Sequence, residues 1–369
     1  MRSTDLAKMT HTNKRPVVSI YQEWIPDYRE AFFVLLHEEF KQVGIEMKLY
    51  AGRPSSKYLG RSESSISLPF VKTLNRLDLR LKSHRFSWTF LGDSVRGSTL
   101  LVFEQARRNL EIYPLLFLTK SKRKPKIVLW GHGHDNGTKG LFSAKLLQKL
   151  TLRADALFLY AQRPTAKGPF EESRTFEIGN SLYKIAEISA IQNIEVGASP
   201  LSSVLFLGAV SKEKGIDEFI ALAELAHDSG SSLKFVVAGP DNEKYFSIRS
   251  MPKNLEYIGA VSGKVKCELI SSAICLVIPD SIGLVAIDAV VHNKVIYTNQ
   301  AATNHGPEIG YLKDSGLIRT YLNTEDLLMS IESARFSLPG VKSLIQPPSL
   351  EGVVENFVES CLRVLRLDT

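Results

Sequence analysis

The sequence has few cysteines and no long apolar run. Its three cysteines, Cys267, Cys275 and Cys361, are an odd number, and two of them sit in apolar segments. Buried free thiols in a reducing compartment explain them better than a disulfide framework. No apolar run approaches the ~18 residues expected of a membrane-spanning helix, and no apolar stretch follows the basic start of the chain as the core of a signal peptide would. We therefore expect a cytoplasmic protein.

The size and composition are those of a globular protein with more than one domain. The chain has 369 residues, of which 44% are hydrophobic and 23% are charged. This length exceeds what a single hydrophobic core usually supports, so we expect two domains.

Positive charge is concentrated in the first half of the chain. Residues 1–195 hold 31 basic and 19 acidic side chains, whereas residues 196–369 hold 15 basic and 20 acidic ones. The stretch 72–126 holds 13 basic and 4 acidic side chains, and it ends in a basic run over 120–126. Three interpretations are open: a solvated basic face, nucleic-acid binding, or attraction to an anionic membrane at about 1 kcal/mol per basic side chain near the lipid. We predict no nucleic-acid partner, because aromatic and basic residues do not interleave as they do in RNA-binding proteins.

Short β-rich runs alternate with amphipathic stretches, a pattern typical of parallel sheets with crossover helices. The first series has predicted strands over 17–20, 47–50, 99–103, 126–130 and 156–160, and a helix over 30–43, whereas 59–96 is left unassigned. In that helix Phe33, Leu36 and Phe40 share one face, and Gly44 closes it. The second series has strands over 203–207, 234–238, 255–258, 275–278 and 295–298, and helices over 216–226, over 265–273 and from 284 onward.

The two series define the predicted architecture. They meet near 190–203, where glycine, serine and proline interrupt the pattern, and the last helix, over 352–367, is long and amphipathic. We predict an α/β fold of two doubly wound Rossmann-like domains that face a ligand-binding cleft. The predicted domains are 1–195 and 196–350, and the helix within 351–369 is expected to pack back on the N-terminal domain.

The segment 279–289 carries the clearest chemical pattern. It follows an apolar strand, turns through a loop of small residues and opens a helix, whose first backbone N–H groups suit a diphosphate. Asp280 lies at the loop entrance and Asp288 lies down the helix, so both can face one elongated ligand. Carboxylates accept hydrogen bonds from vicinal hydroxyls, such as those of a hexose and a ribose.

This loop, its glycine, the hydrophobic helix and the paired acids resemble the signature of the retaining family 4 glycosyltransferases, which have the GT-B fold. The resemblance implies that Asp280 contacts the donor sugar and Asp288 the ribose of the nucleotide. It also implies that the backbone amides between them face the phosphates, at Ser281, Ile282, Gly283 and Leu284. The family normally has Glu at both acid positions, and Asp is shorter by one methylene.

The resemblance extends over about 200–320. The segment 206–215, with Gly208 and Lys214, resembles the strand and loop in which the family places an Arg and a Lys on the diphosphate. The segments 236–240 and 255–261 fit the next two landmarks, and Gly259 and Val261 are expected near the base. The segment 303–308 resembles the family's later glycine-acid segment.

Two departures bear on the donor site. Ala209 stands where the family usually has Arg, and Asn293-Lys294 replaces the usual Gly-x-Pro turn. Losing a guanidinium removes a bidentate phosphate contact. Either another basic residue, such as Lys212 or Lys264, compensates, or the donor binds weakly, or the donor is unusual. A relative that no longer catalyses is the alternative interpretation.

The first half has a looser resemblance. The segment 130–137 is glycine-rich and polar, and His132 matches the family's His-Gly pair, whose His approaches the donor sugar. His132 and His134 have the spacing of metal ligands, but no third ligand is evident, so we predict no metal. Tyr28, Arg29 and His134 are expected on the acceptor side, although Tyr28 and Arg29 equally suit a helix cap. The asparagine-containing turn at 178–182 is interpreted as structural.

These observations predict a glycosyltransferase that moves a hexose-type sugar from a UDP- or GDP-linked donor to a glycan or lipid-linked acceptor. The resemblance implies retention, with the leaving diphosphate helping to deprotonate the acceptor, and no cofactor or metal. The expected role is the synthesis of cell-surface polysaccharide or glycolipid, with peripheral attachment to the inner membrane face. The alternatives are a GT-B nucleotide-sugar epimerase, a phosphorylase, for which no pyridoxal-lysine pattern is visible, and a non-catalytic nucleotide-sugar-binding protein.

Overall fold

The chain divides into two compact units. A computed structural model describes residues 15–53, 68–81, 84–106, 108–118, 125–132, 149, 152–161, 171–193, 203–247 and 251–366. Unit 1 comprises Met1–Gly179 and Glu351–Thr369, and unit 2 comprises Asn180–Leu350. The boundary at 195 remains a sequence prediction.

Unit 1 is built on a parallel sheet. Its strands are β1 (Val17–Gln22), β2 (Glu46–Ala51), β3 (Val71–Thr73), β6 (Leu100–Glu104), β7 (Lys126–Gly131), β8 (Ala156–Leu159) and β9 (Thr175–Glu177), in the order β3-β2-β1-β6-β7-β8-β9. β4 (Arg76–Leu81) and β5 (His84–Thr89) form a separate antiparallel hairpin, and the helices are α1 (Glu30–Gln42) and α2 (Ile112–Leu118). Every residue of β1 is buried, as a parallel strand covered on both faces requires.

Helix α1 forms where the periodicity predicts it. Phe33, Leu36 and Phe40 are buried on one face, and Gly44 adopts a φ of 73° just after the last turn. The amide of Ile45 then donates to the carbonyl of Phe40 at 2.8 Å. A left-handed glycine at this place ends a helix without the strain that a Cβ would cause.

Unit 2 has a second parallel sheet. Its helices are α3 (Ile185–Gln192), α4 (Ile216–Asp228), α5 (Gly263–Ser272), α6 (Val285–Val291), α7 (Ile309–Ser315) and α8 (Thr324–Ala334). Its strands are β10 (Ser203–Leu207), β11 (Lys234–Ala238), β12 (Leu255–Tyr257), β13 (Ala273–Val277), β14 (Ile296–Asn299) and β15 (Ile318–Tyr321), in the order β12-β11-β10-β13-β14-β15. The strand order reverses between β10 and β13, and in doubly wound sheets such a switch point is where ligands bind.

The C-terminal helix α9 (Leu350–Arg366) packs on unit 1, as expected. Phe357 is fully buried, and its ring centroid lies 5.1 Å from Trp130 and 5.3 Å from Phe158. The ammonium of Lys126 donates to the carbonyl of Val364 at 2.7 Å. The amphipathic helix thereby covers one face of the first sheet with its apolar side.

The cysteines are free thiols in unequal surroundings. Cys275 and Cys361 are buried, whereas Cys267 is only half-buried, so the prediction of buried thiols holds for two of the three. Burial raises the pKa of the Cys275 thiol to about 12. Within the part of the chain that the structure describes, no helix combines the length and apolar character needed to cross a membrane.

Candidate functional site

The predicted phosphate loop lies at the switch point of unit 2. It follows β13 and leads into α6, and its base is fixed by the carbonyl of Pro279, which accepts from the Asn299 amide and the Thr298 hydroxyl, each at 3.0 Å. Ser281 has a φ of 56°, a conformation uncommon for residues other than glycine. The loop is therefore held in a specific shape.

Lys214 contacts this loop, and Gly208 lies beside the lysine side chain. The ammonium of Lys214 donates to the carbonyl of Ser281 at 2.6 Å. Gly208 has a φ of 138°, and a Cβ there would lie 3.4 Å from Cε of Lys214. The absence of a side chain at Gly208 thus leaves room for the aliphatic part of Lys214. The Lys214 ammonium lies at the loop, and the resemblance assigns this loop to diphosphate binding.

A second glycine fixes the approach of the lysine turn. Gly215 has a φ of 76°, and a Cβ there would lie 2.4 Å from Cβ of Pro279. No side chain fits that gap, since real Cβ contacts are not this short. Gly215 therefore lets the turn that carries Lys214 pack directly against the entrance of the loop.

Asp280 ties the loop to the segment 303–308. Its carboxylate accepts from the backbone amide of Ser281 at 2.6 Å, and from the backbone amide and side-chain Nδ2 of Asn304 at 3.3 and 3.1 Å. Nδ1 of His305 accepts from the amide of Ile282 at 3.2 Å, and burial lowers the pKa of His305. The histidine is therefore neutral near pH 7 and serves as an acceptor for the loop.

These contacts divide the four predicted phosphate-facing amides into two pairs. Ser281 and Ile282 already donate to protein acceptors. Within the described residues, the amides of Gly283 and Leu284 have no hydrogen-bond acceptor. A Cβ added at Gly283 would meet no atom within 4 Å. The open part of the loop is thus at Gly283 and Leu284.

Asp288 lies in a buried ion pair that the sequence did not reveal. It is 4% exposed, and its Oδ1 accepts from the Tyr183 hydroxyl at 2.5 Å and from the Lys266 ammonium at 2.7 Å. Burial, together with the Asp288 charge, raises the pKa of Tyr183 well above its usual range. A ribose contact, which stays a prediction, requires this carboxylate to accept a further hydrogen bond, and its remaining lone pairs allow one.

The predicted base-side residues follow the edge strand β12. Gly259 has a φ of 79°, and its carbonyl accepts from the Gly239 amide at 2.8 Å, while Val261 packs partly against the core of unit 2. Next to them the rings of Phe246 and Tyr257 stack at 4.7 Å. This aromatic pair was missed, because nothing in the spacing of two aromatic residues on different segments predicts that they stack.

The turn at 178–182 is joined to the segment 303–308. Nδ2 of Asn180 donates to Oε1 of the buried Glu308 at 3.0 Å. A Cβ at Gly306 would lie 2.6 Å from Oε2 of that glutamate. These contacts support the structural interpretation of Asn180 and explain the glycine of the glycine-acid segment.

Arg29, predicted on the acceptor side, and His132, predicted to approach the donor sugar, both lie at the Tyr160 ring of unit 1. The Arg29 guanidinium lies over the rings of Trp130 and Tyr160, at 4.9 and 4.8 Å, and the His132 ring lies 5.2 Å from that of Tyr160. Arg29 is at the N-cap position of α1 but makes no side-chain cap hydrogen bond, so its side chain is not a helix cap. Tyr28 is half exposed, and His134 lies outside the described residues.

An unpredicted charge cluster lies at the ends of β1 and β6. Glu23 is ion-paired with Arg85, with Arg108 at 2.6 Å and with Arg76 at 3.4 Å. Burial alone would raise the pKa of Glu23, but these guanidinium groups hold it below its ordinary value. Each of these arginines is distant from Glu23 in the sequence, so no local pattern indicates the cluster.

Glu104, at the end of β6, belongs to the same edge. Burial raises the pKa of its carboxyl to about 7; the Glu23 charge adds to the shift, and the charges of Arg29 and Arg108 oppose it. Together with Tyr21, Glu23 and Arg76, it lines a small cleft at the switch point between β1 and β6. A carboxyl that titrates near neutral pH in a cleft is a candidate for binding or proton transfer.

The described residues hold no group of three or more His, Cys, Asp or Glu side chains that could bind a metal ion. The prediction of metal-independent activity remains to be tested.

Similarity to solved structures covers nearly the whole chain. A glycosyltransferase from Rickettsia africae has a TM-score of 0.65 and 12% identity, with 96% of this chain and 100% of that chain covered. HepE from Anabaena, in complex with UDP and glucose, has a TM-score of 0.57 and 11% identity, with 95% and 100% covered. A UDP-GlcNAc 2-epimerase from Neisseria meningitidis, bound to UDP-GlcNAc, has a TM-score of 0.58 and 13% identity, with 94% and 100% covered.

These similarities define the class of fold. No protein-family model matches the sequence, and no curated protein matches it significantly. At identities of 11–13% the shared property is the fold. With two doubly wound units in one chain, the similarity confirms the predicted GT-B fold class.

Proposed function

We propose that the protein is a glycosyltransferase that moves a hexose-type sugar from a UDP- or GDP-linked donor to a glycan or lipid-linked acceptor. The observation that carries the proposal is the contact of the Lys214 ammonium with the 280–284 loop at the switch point of unit 2. A lysine beside open backbone amides suits a diphosphate, which both of these donor classes contain. Neighbours of the same fold that were solved with UDP, or with UDP-GlcNAc, support a nucleotide-sugar as ligand.

In this proposal unit 2 binds the donor. Lys214 and the amides of Gly283 and Leu284 stabilise the negative charge that develops on the leaving diphosphate. Asp280 orients the sugar and Asp288 contacts the ribose. The base lies toward Gly259 and Val261, beside the stacked aromatic pair.

Unit 1 supplies the acceptor side. Tyr28, Arg29 and His134 belong to it, while His132 approaches the donor sugar. Glu104 joins the acceptor side as a group that sequence reasoning missed. The guanidinium of Arg29 is held by two aromatic rings. Its orientation is therefore fixed, and it can orient an acceptor that carries oxygen atoms.

We further propose membership of the retaining family 4 and a reaction without metal. The leaving diphosphate then accepts the proton of the acceptor hydroxyl on the same face of the sugar. The work of the protein is electrostatic, and it needs no dedicated nucleophile. A role in cell-surface polysaccharide or glycolipid synthesis follows from the proposed acceptor class.

A nucleotide-sugar epimerase is the second candidate, because the Neisseria epimerase has the same fold at a TM-score of 0.58. An epimerase converts the nucleotide-sugar without any acceptor. We would first find the donor with a thermal-shift panel of UDP- and GDP-sugars, and then analyse the products with and without acceptor glycans. Transfer only in the presence of acceptor supports the first candidate, and an epimerised donor without acceptor supports the second. Donor binding with neither product would indicate a non-catalytic protein.

We also propose peripheral attachment to an anionic membrane through the basic first half. Of the 120–126 cluster, residues 120–124 lie outside the described residues, and Lys126 is engaged with Val364. Vesicles with anionic lipid should co-sediment the protein, and changing Lys122, Arg123 and Lys124 to Glu should reduce binding. The attraction is screened over about 8 Å at physiological salt, so binding should fall as salt rises.

A further inference from the structure

The β4–β5 hairpin has two chemically different faces. Its register pairs Leu77 with Trp88 and Leu79 with Phe86. Since alternate residues of a strand point to opposite faces, these four side chains share one face, and Phe90, just beyond β5, continues it. The other face carries Arg76, Asp78, Arg85, Ser87 and Thr89.

The polar face is fixed to unit 1. Arg76 and Arg85 are ion-paired with Glu23, and Ser87 donates to Oδ1 of Asn109 at 3.0 Å. The amide of Thr89 donates to Oε2 of Glu111 at 3.2 Å. The hairpin is therefore held in one orientation by its charged side.

The apolar face points outward. Leu77 is 48% exposed, Leu79 53%, Trp88 39% and Phe90 56%. Single exposed apolar residues are ordinary on a protein surface, but a contiguous group of this size marks an interaction surface. The usual arrangement, with apolar residues inward and charges outward, is reversed here.

The surrounding charge indicates what this face meets. Residues 72–96 hold six basic and two acidic side chains. Arg76 and Arg85 are paired with Glu23 and Asp78, and Arg96 is paired with Asp93, so a net positive charge remains in this stretch. Two copies of the chain packed through this face would bring like charges together. An anionic lipid surface attracts those charges and also accepts apolar side chains, and tryptophan favours the membrane interface.

We propose that the outward face of this hairpin inserts Leu77, Leu79, Trp88 and Phe90 into the interface of an anionic membrane. The inference deepens the membrane attachment proposed above, and it does not depend on the chemistry in unit 2. Basic residues draw the protein to the lipid, and the hairpin then fixes its orientation.

Trp88 provides the test. The full-length protein is mixed with vesicles of phosphatidylglycerol and phosphatidylcholine, or of phosphatidylcholine alone, some with brominated acyl chains. With the anionic vesicles, tryptophan emission should shift to the blue and be quenched by the brominated lipid. Trp88→Phe should still bind but lose most of this response, since Trp130 is buried and Trp24 partly so.

Matched leucine variants measure the apolar contribution. Leu79→Ser should weaken partitioning into anionic vesicles by about 10-fold, because a leucine no longer leaves water. Leu322→Ser is the control, since Leu322 is a 69% exposed leucine of unit 2 and its loss should change nothing. Both residues are exposed, so both variants should fold and keep the wild-type melting temperature.

Three results would overturn the inference. Binding to anionic vesicles without a blue shift or quenching of the Trp88 emission would show that the attachment is purely electrostatic and that the hairpin stays outside the lipid. Absence of binding to either kind of vesicle would show that the protein does not attach to membranes. Self-association in sedimentation velocity that is weakened by Leu79→Ser would identify a second copy as the occupant. A nucleotide-sugar titration of the same variants reports on the donor site separately.

Discussion

Replacing Gly283 by alanine tests whether a ligand fills the open part of the 280–284 loop. Gly283 does not have a positive φ, and a Cβ there meets no atom within 4 Å. Alanine therefore fits the free protein, and it should change the free energy of unfolding by less than about 1 kcal/mol, with a gain expected from the stiffer unfolded chain.

The same methyl group should harm donor binding. It occupies the space beside the Gly283 amide, where the proposal places a phosphate oxygen. Loss of one charge-assisted hydrogen bond costs about 1.5–3 kcal/mol, which is about 10- to 100-fold in Kd. Gly340 offers a matched control in the same unit, because it too lacks a positive φ and has no atom within 4 Å of an added Cβ.

Calorimetric titration with the donor identified by the thermal-shift panel measures the effect. Gly283→Ala should keep its melting temperature within a few degrees of wild type and lose affinity, whereas Gly340→Ala should lose neither. Wild-type affinity in Gly283→Ala would show that no ligand atom enters this space, and the assignment of the loop to a diphosphate would be wrong.

Three further outcomes are expected. Asp288→Ala should lower the free energy of unfolding by about 2–3 kcal/mol, because it leaves the Lys266 ammonium unpaired beside a buried site. Asp288→Ala should also weaken nucleotide binding, whereas Lys266→Met should destabilise the protein but keep its nucleotide affinity. Equal nucleotide affinity in the two variants would refute the ribose contact. Glu104→Gln should be more stable than wild type above pH 7, by on the order of 2 kcal/mol. In the folded protein the Glu104 carboxyl has a pKa of about 7, whereas its ordinary value is 4.5. The wild type therefore loses stability as the pH rises from 4.5 to 7. Melting temperatures of the two proteins that change with pH in parallel would contradict the raised pKa of Glu104. Transfer activity should persist in excess EDTA, and a loss restored by a divalent ion would establish a metal requirement.

Local periodicity was enough to predict the central strands of both sheets, but not the edge strands β3, β9 and β15. Strands such as β1 and β13 are buried on both faces, so they are continuous apolar runs, and α1 shows its buried face in the spacing of Phe33, Leu36 and Phe40. The β4–β5 hairpin could not be assigned this way. Its alternation has the charged face inward on Glu23 and the apolar face outward, which is the reverse of the usual pattern.

The donor loop was predictable and its partners were not. The family resemblance assigned Lys214 and Asp280 to one bound ligand. The pairing of Asp288 with Tyr183 joins residues 105 positions apart, and nothing local predicts it. The pKa of Glu104 is raised by burial and by the Glu23 charge on another segment, so no sequence motif predicts it.

In the proposed function Lys214 and the 280–284 loop hold a nucleotide-sugar. Calorimetric titration of wild type and Lys214→Met with UDP- and GDP-sugars tests it most directly. We predict saturable one-site binding of at least one donor, weakened about 10-fold or more in folded Lys214→Met, since an ammonium that faces phosphate is lost. Equal affinity in the two proteins, or no binding of any donor to wild type, would show that Lys214 and this loop do not form the donor site.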